Sequence, residues 1–115
     1  MPVEIYHNPR CSKSRQTLDL LQEQGIEPNI IKYLDSPPDA STLSHILKML
    51  NMEPRDLIRK KEAEYKALGL DDPDLSRDQL IQAMIENPKL IERPIVINGD
   101  MAALGRPPEQ VLELF

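Results

Sequence analysis

The sequence has one cysteine, Cys11, no tryptophan and a single phenylalanine. One cysteine cannot form a disulfide within the chain, which excludes a disulfide-stapled secreted fold and a Cys-x-x-Cys redox cycle completed by one chain. Any redox reaction of Cys11 therefore needs a second thiol from another molecule. The few aromatic side chains also offer little surface for stacking bases or sugars, which argues against those ligands.

Long apolar runs are absent as well, and the apolar stretches fall far short of the about 20 residues that cross a bilayer. The first residues, MPVEIYHN, contain no basic stretch followed by an apolar run, so we expect a cytoplasmic protein. A formal net charge of -5 argues against general binding to nucleic acid or to a membrane surface. His45 has no metal-ligand spacing to other side chains, so we expect no metal and no bound cofactor.

The first third of the chain is predicted to be a βαβ unit. It comprises a strand over residues 3–6 that stops at His-Asn-Pro, a helix over 12–24 that stops at Gly25, and a largely buried strand over 29–34. Ser12 and Ser14 are the candidate N-caps of the helix. A unit of this length predicts two parallel strands joined by a crossover helix.

Residues 39–88 are predicted to be a helical insert, with helices from 39 or 41 to 50, from Pro54 to 58, over 62–68 and over 76–86. A hairpin follows, with strands at 95–97 and 101–104 around Asn98-Gly99, and then a last helix over 109–114. We therefore predict one α/β domain, residues 1–115, with a thioredoxin-like fold. Its mixed four-stranded sheet would carry the helical insert between strands 2 and 3.

Cys11 lies between the end of the first strand and the start of the first helix. Unpaired backbone N–H groups and the helix dipole favour a thiolate there, and reactive cysteines in such settings have pKa values of roughly 3.5 to 7.5. Nearby positive charge comes from His7, Arg10, Lys13 and Arg15. The same features attract a tetrahedral oxyanion. By itself, a lone cysteine is more often a small buried apolar side chain, here beside a solvated basic helix face.

The segment from Tyr6 to Arg15, YHNPRCSKSR, resembles the active-site loop of the glutaredoxin-coupled arsenate reductases of the ArsC family. Three further segments resemble blocks of the same family in order and spacing: Leu57 to Lys60, Glu92 to Val96, and Gly105 to Val111. The likeness covers essentially the whole chain and is closest to the short, YfgD-like members. It differs from better-known members at Arg10 and at Ser12-Lys13.

The resemblance implies that the protein reduces arsenate to arsenite, with glutathione as co-substrate and glutaredoxin as partner. Cys11 would be the nucleophile, and His7 would help to ionise it. The remaining site residues would bind the oxyanion or complete the loop: Arg59, Arg93, Arg106, Ser14 and Arg15. Guanidinium groups suit this task because they stay charged and present paired donors to oxyanions. The fold resemblance also predicts a cis peptide bond at Arg93-Pro94.

Two other functions remain open at the level of sequence. An Spx-like transcriptional regulator shares this fold family and would bind RNA polymerase, but such proteins usually carry Cys-x-x-Cys, whereas this chain has Ser14 at the second position. Another glutathione-linked thiol oxidoreductase is the second alternative, because the basic substitutions in the loop leave the anion less certain than the thiol chemistry.

Overall fold

The computed structural model describes residues 3–115, which divide into two compact units. The sheet unit comprises the chain up to residue 36 together with residues 93–115, and the helical unit comprises residues 37–92. The sheet unit contains β1 (Val3–Tyr6), α1 (Ser12–Glu23), β2 (Asn29–Ile31), β3 (Ile95–Asn98), β4 (Met101–Leu104) and a C-terminal 3₁₀ helix (Pro108–Leu114). The helical unit contains α2 (Ala40–Leu50), α3 (Pro54–Leu57), α4 (Ala63–Ala67), α5 (Arg77–Glu86) and a 3₁₀ turn (Pro88–Leu90).

The four strands form one mixed sheet in the order β2-β1-β3-β4. β1 is parallel to β2 and antiparallel to β3, and β3 and β4 form an antiparallel hairpin. This is the predicted thioredoxin-like arrangement, and the helical unit falls between β2 and β3 in the chain, as expected. The prediction of a single domain over residues 1–115 remains a prediction.

Alternating apolar side chains of the strands bury one face of the sheet against α1 and the C-terminal 3₁₀ helix. Ile5 of β1, Val96 of β3, Leu21 of α1 and Val111 of the 3₁₀ helix are fully buried in this core. Burial of each such side chain contributes about 1.5–3 kcal/mol. The core fixes β1 and α1, and thereby both ends of the loop that carries Cys11.

The prediction for β2 is wrong in length and in burial. The strand ends at Ile31 because the backbone N–H groups of Asp35 and Ser36 both donate to the carbonyl oxygen of Lys32, at 3.0 and 2.9 Å, and turn the chain. β2 is also an edge strand with one neighbour, and Ile30 is 47% exposed. The pair Ile30-Ile31 therefore indicates a strand correctly but does not indicate that this strand lies at the edge of the sheet.

The hairpin is confirmed, but its turn lies one residue later than predicted. Asn98 pairs with Met101 as the last residue of β3, so the turn consists of Gly99, with φ +62°, and Asp100. Asn98 is held in the strand because its side-chain amide donates to the carbonyl oxygen of Leu114 at 2.7 Å. A tertiary contact thus keeps Asn98 in the strand, although local preferences would place this residue in the turn.

The helical unit is built on well-capped helices. The Asp39 carboxylate accepts a hydrogen bond from the Thr42 N–H at 2.7 Å, and Ser76 and Gln79 form a capping box at the start of α5. α2 and α5 pack together, and each buries an apolar stripe: Leu43, Ile46 and Leu47 on α2, and Leu80, Ile81 and Met84 on α5. Across residues 3–115, the longest apolar helices are still too short and too polar to cross a membrane.

Candidate active site

Cys11 is the N-cap residue of α1, where the sequence predicted a serine. Its backbone is extended, with φ −92° and ψ 125°, its side chain makes no capping hydrogen bond, and it is 8% exposed. The carbonyl oxygen of Cys11 accepts from the N–H of Arg15 at 3.1 Å, the first hydrogen bond of the helix. The sulfur therefore sits at the positive end of the helix dipole.

Asn8 holds the loop in shape, a role that the sequence reasoning missed. Its carbonyl oxygen accepts from the Cys11 N–H at 3.0 Å, and its side-chain oxygen accepts from the Arg10 N–H, also at 3.0 Å. Its own N–H donates to the Ser14 hydroxyl at 3.4 Å. The signal was present in the sequence, because an asparagine two residues before a non-proline residue readily forms this side-chain turn.

Ser14 and Arg15 complete the loop from the helix side. The Ser14 side chain is fully buried, and the exposed Arg15 guanidinium donates to the carbonyl oxygen of Pro9 at 3.0 Å. Both predicted loop residues therefore have structural contacts with the segment before Cys11. Their predicted contacts with an oxyanion remain a prediction.

The surroundings of Cys11 favour its ionised form. Burial by itself would raise the pKa of the thiol, but the backbone N–H of Ser14, the positive charge of Arg93, the N–H of Lys13 and the Ser14 hydroxyl together outweigh it and lower the pKa below its ordinary value. Thiolate is the nucleophilic form of cysteine. The site thus provides a larger fraction of nucleophile at neutral pH than a free cysteine would.

His7 lies at the end of β1 and is 5% exposed. Burial, followed by the positive charges of Lys32 and Arg15, lowers the pKa of its imidazole below 6.5. His7 is therefore largely neutral at pH 7, so its charge contributes little to the ionisation of Cys11. Within residues 3–115, its Nδ1 atom has no hydrogen-bond partner.

Arg106 contacts the thiol, and the charge of Arg93 is near enough to lower the pKa of Cys11. Their predicted role as oxyanion ligands stays a prediction. Arg106 Nη2 donates to Cys11 Sγ at 3.8 Å, and Arg106 Nε donates to the carbonyl oxygen of Arg93 at 2.8 Å. The Arg93-Pro94 peptide bond is cis, which confirms the prediction, and Arg106-Pro107 is also cis. Two segments that are distant in sequence from Cys11 therefore place positive charge near its sulfur atom.

Arg59 belongs to the helical unit, where two carboxylates surround its guanidinium. Arg59 Nη1 lies 2.8 Å from Glu62 Oε1, and Arg59 Nε lies 3.9 Å from Glu92 Oε1. Its backbone N–H donates to the carbonyl oxygen of Leu90 at 2.7 Å. The predicted role of Arg59 as an oxyanion ligand stays a prediction.

Gly105 and Thr17 form a close contact beside the site that the sequence did not predict. A Cβ atom on Gly105 would collide with Thr17 Oγ1 and would lie only 2.7 Å from Pro94 Cγ. Thr17 is fully buried, and its hydroxyl donates to the carbonyl oxygen of Lys13 at 2.8 Å. Only glycine fits here, so the residue before Arg106 packs directly on α1 and on Pro94.

No group of three or more His, Cys, Asp or Glu side chains that could hold a metal ion occurs within the part of the chain that the structure describes. The chemistry available at this site is that of an activated thiol with arginine side chains. That combination suits nucleophilic attack on an anionic centre.

Comparison with known proteins shows the family of the chain. Residues 6–114 match the model of the ArsC family. The chain is 59% identical to the uncharacterised protein YfgD of Escherichia coli K12, covering 97% of this chain and 95% of that protein, and 52% identical to an arsenate reductase of Haemophilus influenzae over the full length of both. The solved structure of an arsenate reductase from Vibrio cholerae is 54% identical, covers 100% of this chain and 98% of its own, and superposes with a TM-score of 0.97.

Proposed function

Because the chain belongs to the ArsC family, we propose that it is an arsenate reductase that works through the Cys11 thiolate. The observation that carries the proposal is the contact between Arg106 Nη2 and Cys11 Sγ, on a thiol whose pKa is lowered by its surroundings. Relatives that are about half identical over the whole chain and are named arsenate reductases support the choice of oxyanion.

In the first step, the Cys11 thiolate attacks the arsenic atom of arsenate. A bond forms between sulfur and arsenic, and one arsenate oxygen leaves as water after taking up protons. Arg93 and Arg106 would neutralise the oxyanion while the negatively charged thiolate approaches it. Arsenic is still in the +5 state in this adduct, so no electrons have yet been transferred.

In the second step, an external thiol reduces the arsenic. Its thiolate attacks Cys11 Sγ, the bond between sulfur and arsenic breaks, and its electron pair stays on arsenic, which leaves as arsenite in the +3 state. Cys11 is left in a mixed disulfide with the external thiol. Because the chain has no second cysteine, we propose glutathione as this thiol and glutaredoxin as the partner that releases it. A cytoplasmic location, where thiols are kept reduced, fits this cycle.

The other predicted residues have defined parts in this proposal. Arg59 would join Arg93 and Arg106 as a ligand of the oxyanion, after exchanging its carboxylate partners for the substrate. Ser14 and Arg15 hold the loop in place. His7, being largely neutral at pH 7, would assist ionisation of Cys11 as a proton acceptor rather than as a charge.

The test is arsenate-dependent oxidation of NADPH in an assay coupled through glutathione, glutaredoxin and glutathione reductase. We expect turnover by the wild-type protein and a loss of about 10³-fold or more in the Cys11→Ser variant, because the serine hydroxyl stays protonated. Circular dichroism spectra of both proteins confirm that the variant is folded, and phosphate in place of arsenate is the control substrate.

Two outcomes would contradict the proposal. Turnover that persists in Cys11→Ser would remove Cys11 as the nucleophile. No turnover in either protein would overturn arsenate reduction; cleavage of a glutathione mixed disulfide would then identify another thiol oxidoreductase, and capture of the RNA polymerase α subunit would identify an Spx-like regulator.

A further inference from the structure

A cavity of about 390 Å³ lies in the sheet unit, beside the loop that carries Cys11. Two segments line it, the end of β1 with the following loop, and the turn after β2: His7, Asn8, Pro9 and Arg10, and Lys32, Leu34 and Asp35. Its volume lies in the range of small-molecule sites, about 300–1,000 Å³. Arg10 directly precedes Cys11, so the cavity adjoins the nucleophile along the chain.

The charged side chains of the cavity have a distinctive composition of two cations and one carboxylate. Arg10 and Lys32 are exposed, and Asp35 lies on the same turn as Lys32. The positive charge of Lys32 reaches His7, since it contributes to the lowered pKa of that imidazole. This composition suits a ligand with two carboxylates and one ammonium group.

His7 forms part of the wall of the cavity. Its side chain is 95% buried, it lines the cavity, and Nδ1 has no hydrogen-bond partner within the described residues. Nδ1 itself is buried, so a ligand seated in the cavity would contact other atoms of the imidazole ring.

We propose that this cavity binds the external thiol as a small peptide with two carboxylates and an ammonium group, as in glutathione. The inference rests on the proposed function, because it gives the reducing thiol of the second step its binding site. Arg10 and Lys32 pair with the two carboxylates, Asp35 pairs with the ammonium group, and Pro9 and Leu34 contact the methylene groups. The bound thiolate then attacks Cys11 Sγ, and arsenite leaves with the electron pair of the broken bond.

The oxyanion itself is a poorer occupant of the cavity. A tetrahedral oxyanion would fill only a small part of 390 Å³, and the Asp35 carboxylate would repel a multiply charged anion. Arg106, which contacts Cys11 Sγ, is not among the residues that line the cavity. The two substrates thus have separate groups of cations, one at the sulfur and one in the cavity.

The binding test uses S-methylglutathione, which keeps both carboxylates and the ammonium group but cannot react. Titration into the ¹⁵N-labelled wild-type protein is expected to shift the backbone signals of Asn8, Arg10 and Lys32. The double variant Arg10→Gln, Lys32→Gln is expected to weaken binding about tenfold, since each exposed ion pair contributes a few-fold in affinity. The control is Lys66→Gln, which removes an exposed lysine of α4 in the helical unit.

Steady-state kinetics separates the thiol site from the oxyanion site. The double variant is expected to raise KM for glutathione about tenfold while leaving KM for arsenate within twofold, and Lys66→Gln should change neither. A rise in KM for arsenate instead would make the cavity part of the oxyanion site and overturn the inference, as would an absence of S-methylglutathione binding to the wild type. If S-methylglutathione binds at this cavity but no arsenate is reduced, the binding site stands and the proposed function fails.

Discussion

The arginines of the two units are used in different ways, although the side chains are the same. In the sheet unit, Arg106 donates to the Cys11 sulfur and to the carbonyl oxygen of Arg93. In the helical unit, Arg59 pairs with two carboxylates, and Arg55 donates to the carbonyl oxygens of Leu70 and Asp72. Arg106 thus contacts the proposed nucleophile, whereas Arg59 pairs with carboxylates of its own unit.

Among the arginine variants, the largest effect is expected for Arg106→Lys. Lysine keeps the charge but loses the planar, paired donors, so kcat/KM for arsenate should fall about 100-fold, the size of effect seen when one transition-state donor is removed. The measurement is the coupled assay, with thermal unfolding to show that stability is retained.

Arg77→Lys is the matched control from the helical unit. Arg77 Nη1 donates to the Ser44 hydroxyl at 2.8 Å, so the same change removes an arginine contact outside the proposed site. We expect its kcat/KM to stay within twofold of the wild type. Equal losses in the two variants would mean that the contrast between the units has no bearing on catalysis.

One glycine from each unit extends the comparison, because replacing either by alanine is expected to lower the stability of the protein. Gly105 of the sheet unit has no room for a Cβ beside Thr17 and Pro94, whereas Gly69 of the helical unit has open space but a φ of +68°. Gly105→Ala should therefore lower the free energy of unfolding by about 2–3 kcal/mol through overpacking, and Gly69→Ala by about 1 kcal/mol through backbone strain. Urea denaturation measures both, and a smaller loss in Gly105→Ala would show that α1 moves aside easily.

Arg59→Lys tests whether the helical unit contributes to the reaction. If Arg59 binds the oxyanion, replacing its paired donors with lysine should lower the kcat/KM of the protein about tenfold, mainly through a higher KM for arsenate. If its only role is the pairing with Glu62 and Glu92, kinetics would stay unchanged and stability would change by less than about 1 kcal/mol, because the pairs are partly exposed and lysine keeps the charge. The unchanged result would remove Arg59 from the proposed site.

Local patterns were sufficient for much of the fold and for the position of Cys11 at the start of α1. The strands β1, β3 and β4 and the helix α1 follow from apolar spacing and turn residues, and the junction between β1 and α1 points to Cys11 without any tertiary information. Arg93 and Arg106 were identified through resemblance to a family, because neither lies near Cys11 in the sequence.

What the sequence did not predict depends on non-local contacts. The fit of Gly105 against Thr17 joins two distant segments, and the edge position of β2 depends on which strands pair. From the sequence, we expected a positive charge on His7 to favour the Cys11 thiolate. Burial and the neighbouring cations instead lower the pKa of His7 itself. The net result depends on burial, which residue types alone do not give.

The two histidines extend the comparison of the units to the pH dependence of stability, where we expect the smallest effect. His7 is buried in the sheet unit and has a lowered pKa, so the unfolded chain, with a pKa near 6.5, binds more protons as the pH falls. The stability that comes from a neutral His7 is therefore complete above pH 6.5 and is lost as the pH drops through the lower pKa of the folded state, by at most about 1.4 kcal/mol per pH unit. Urea midpoints at pH 7.5, 6.5 and 5.5 should fall less steeply for His7→Gln than for the wild type, whereas His45→Gln, at an exposed position of α2, should follow the wild type. Parallel curves for all three proteins would show that His7 accepts a proton in the folded state as readily as in the unfolded chain, and the neutral imidazole in the proposed function would then be wrong.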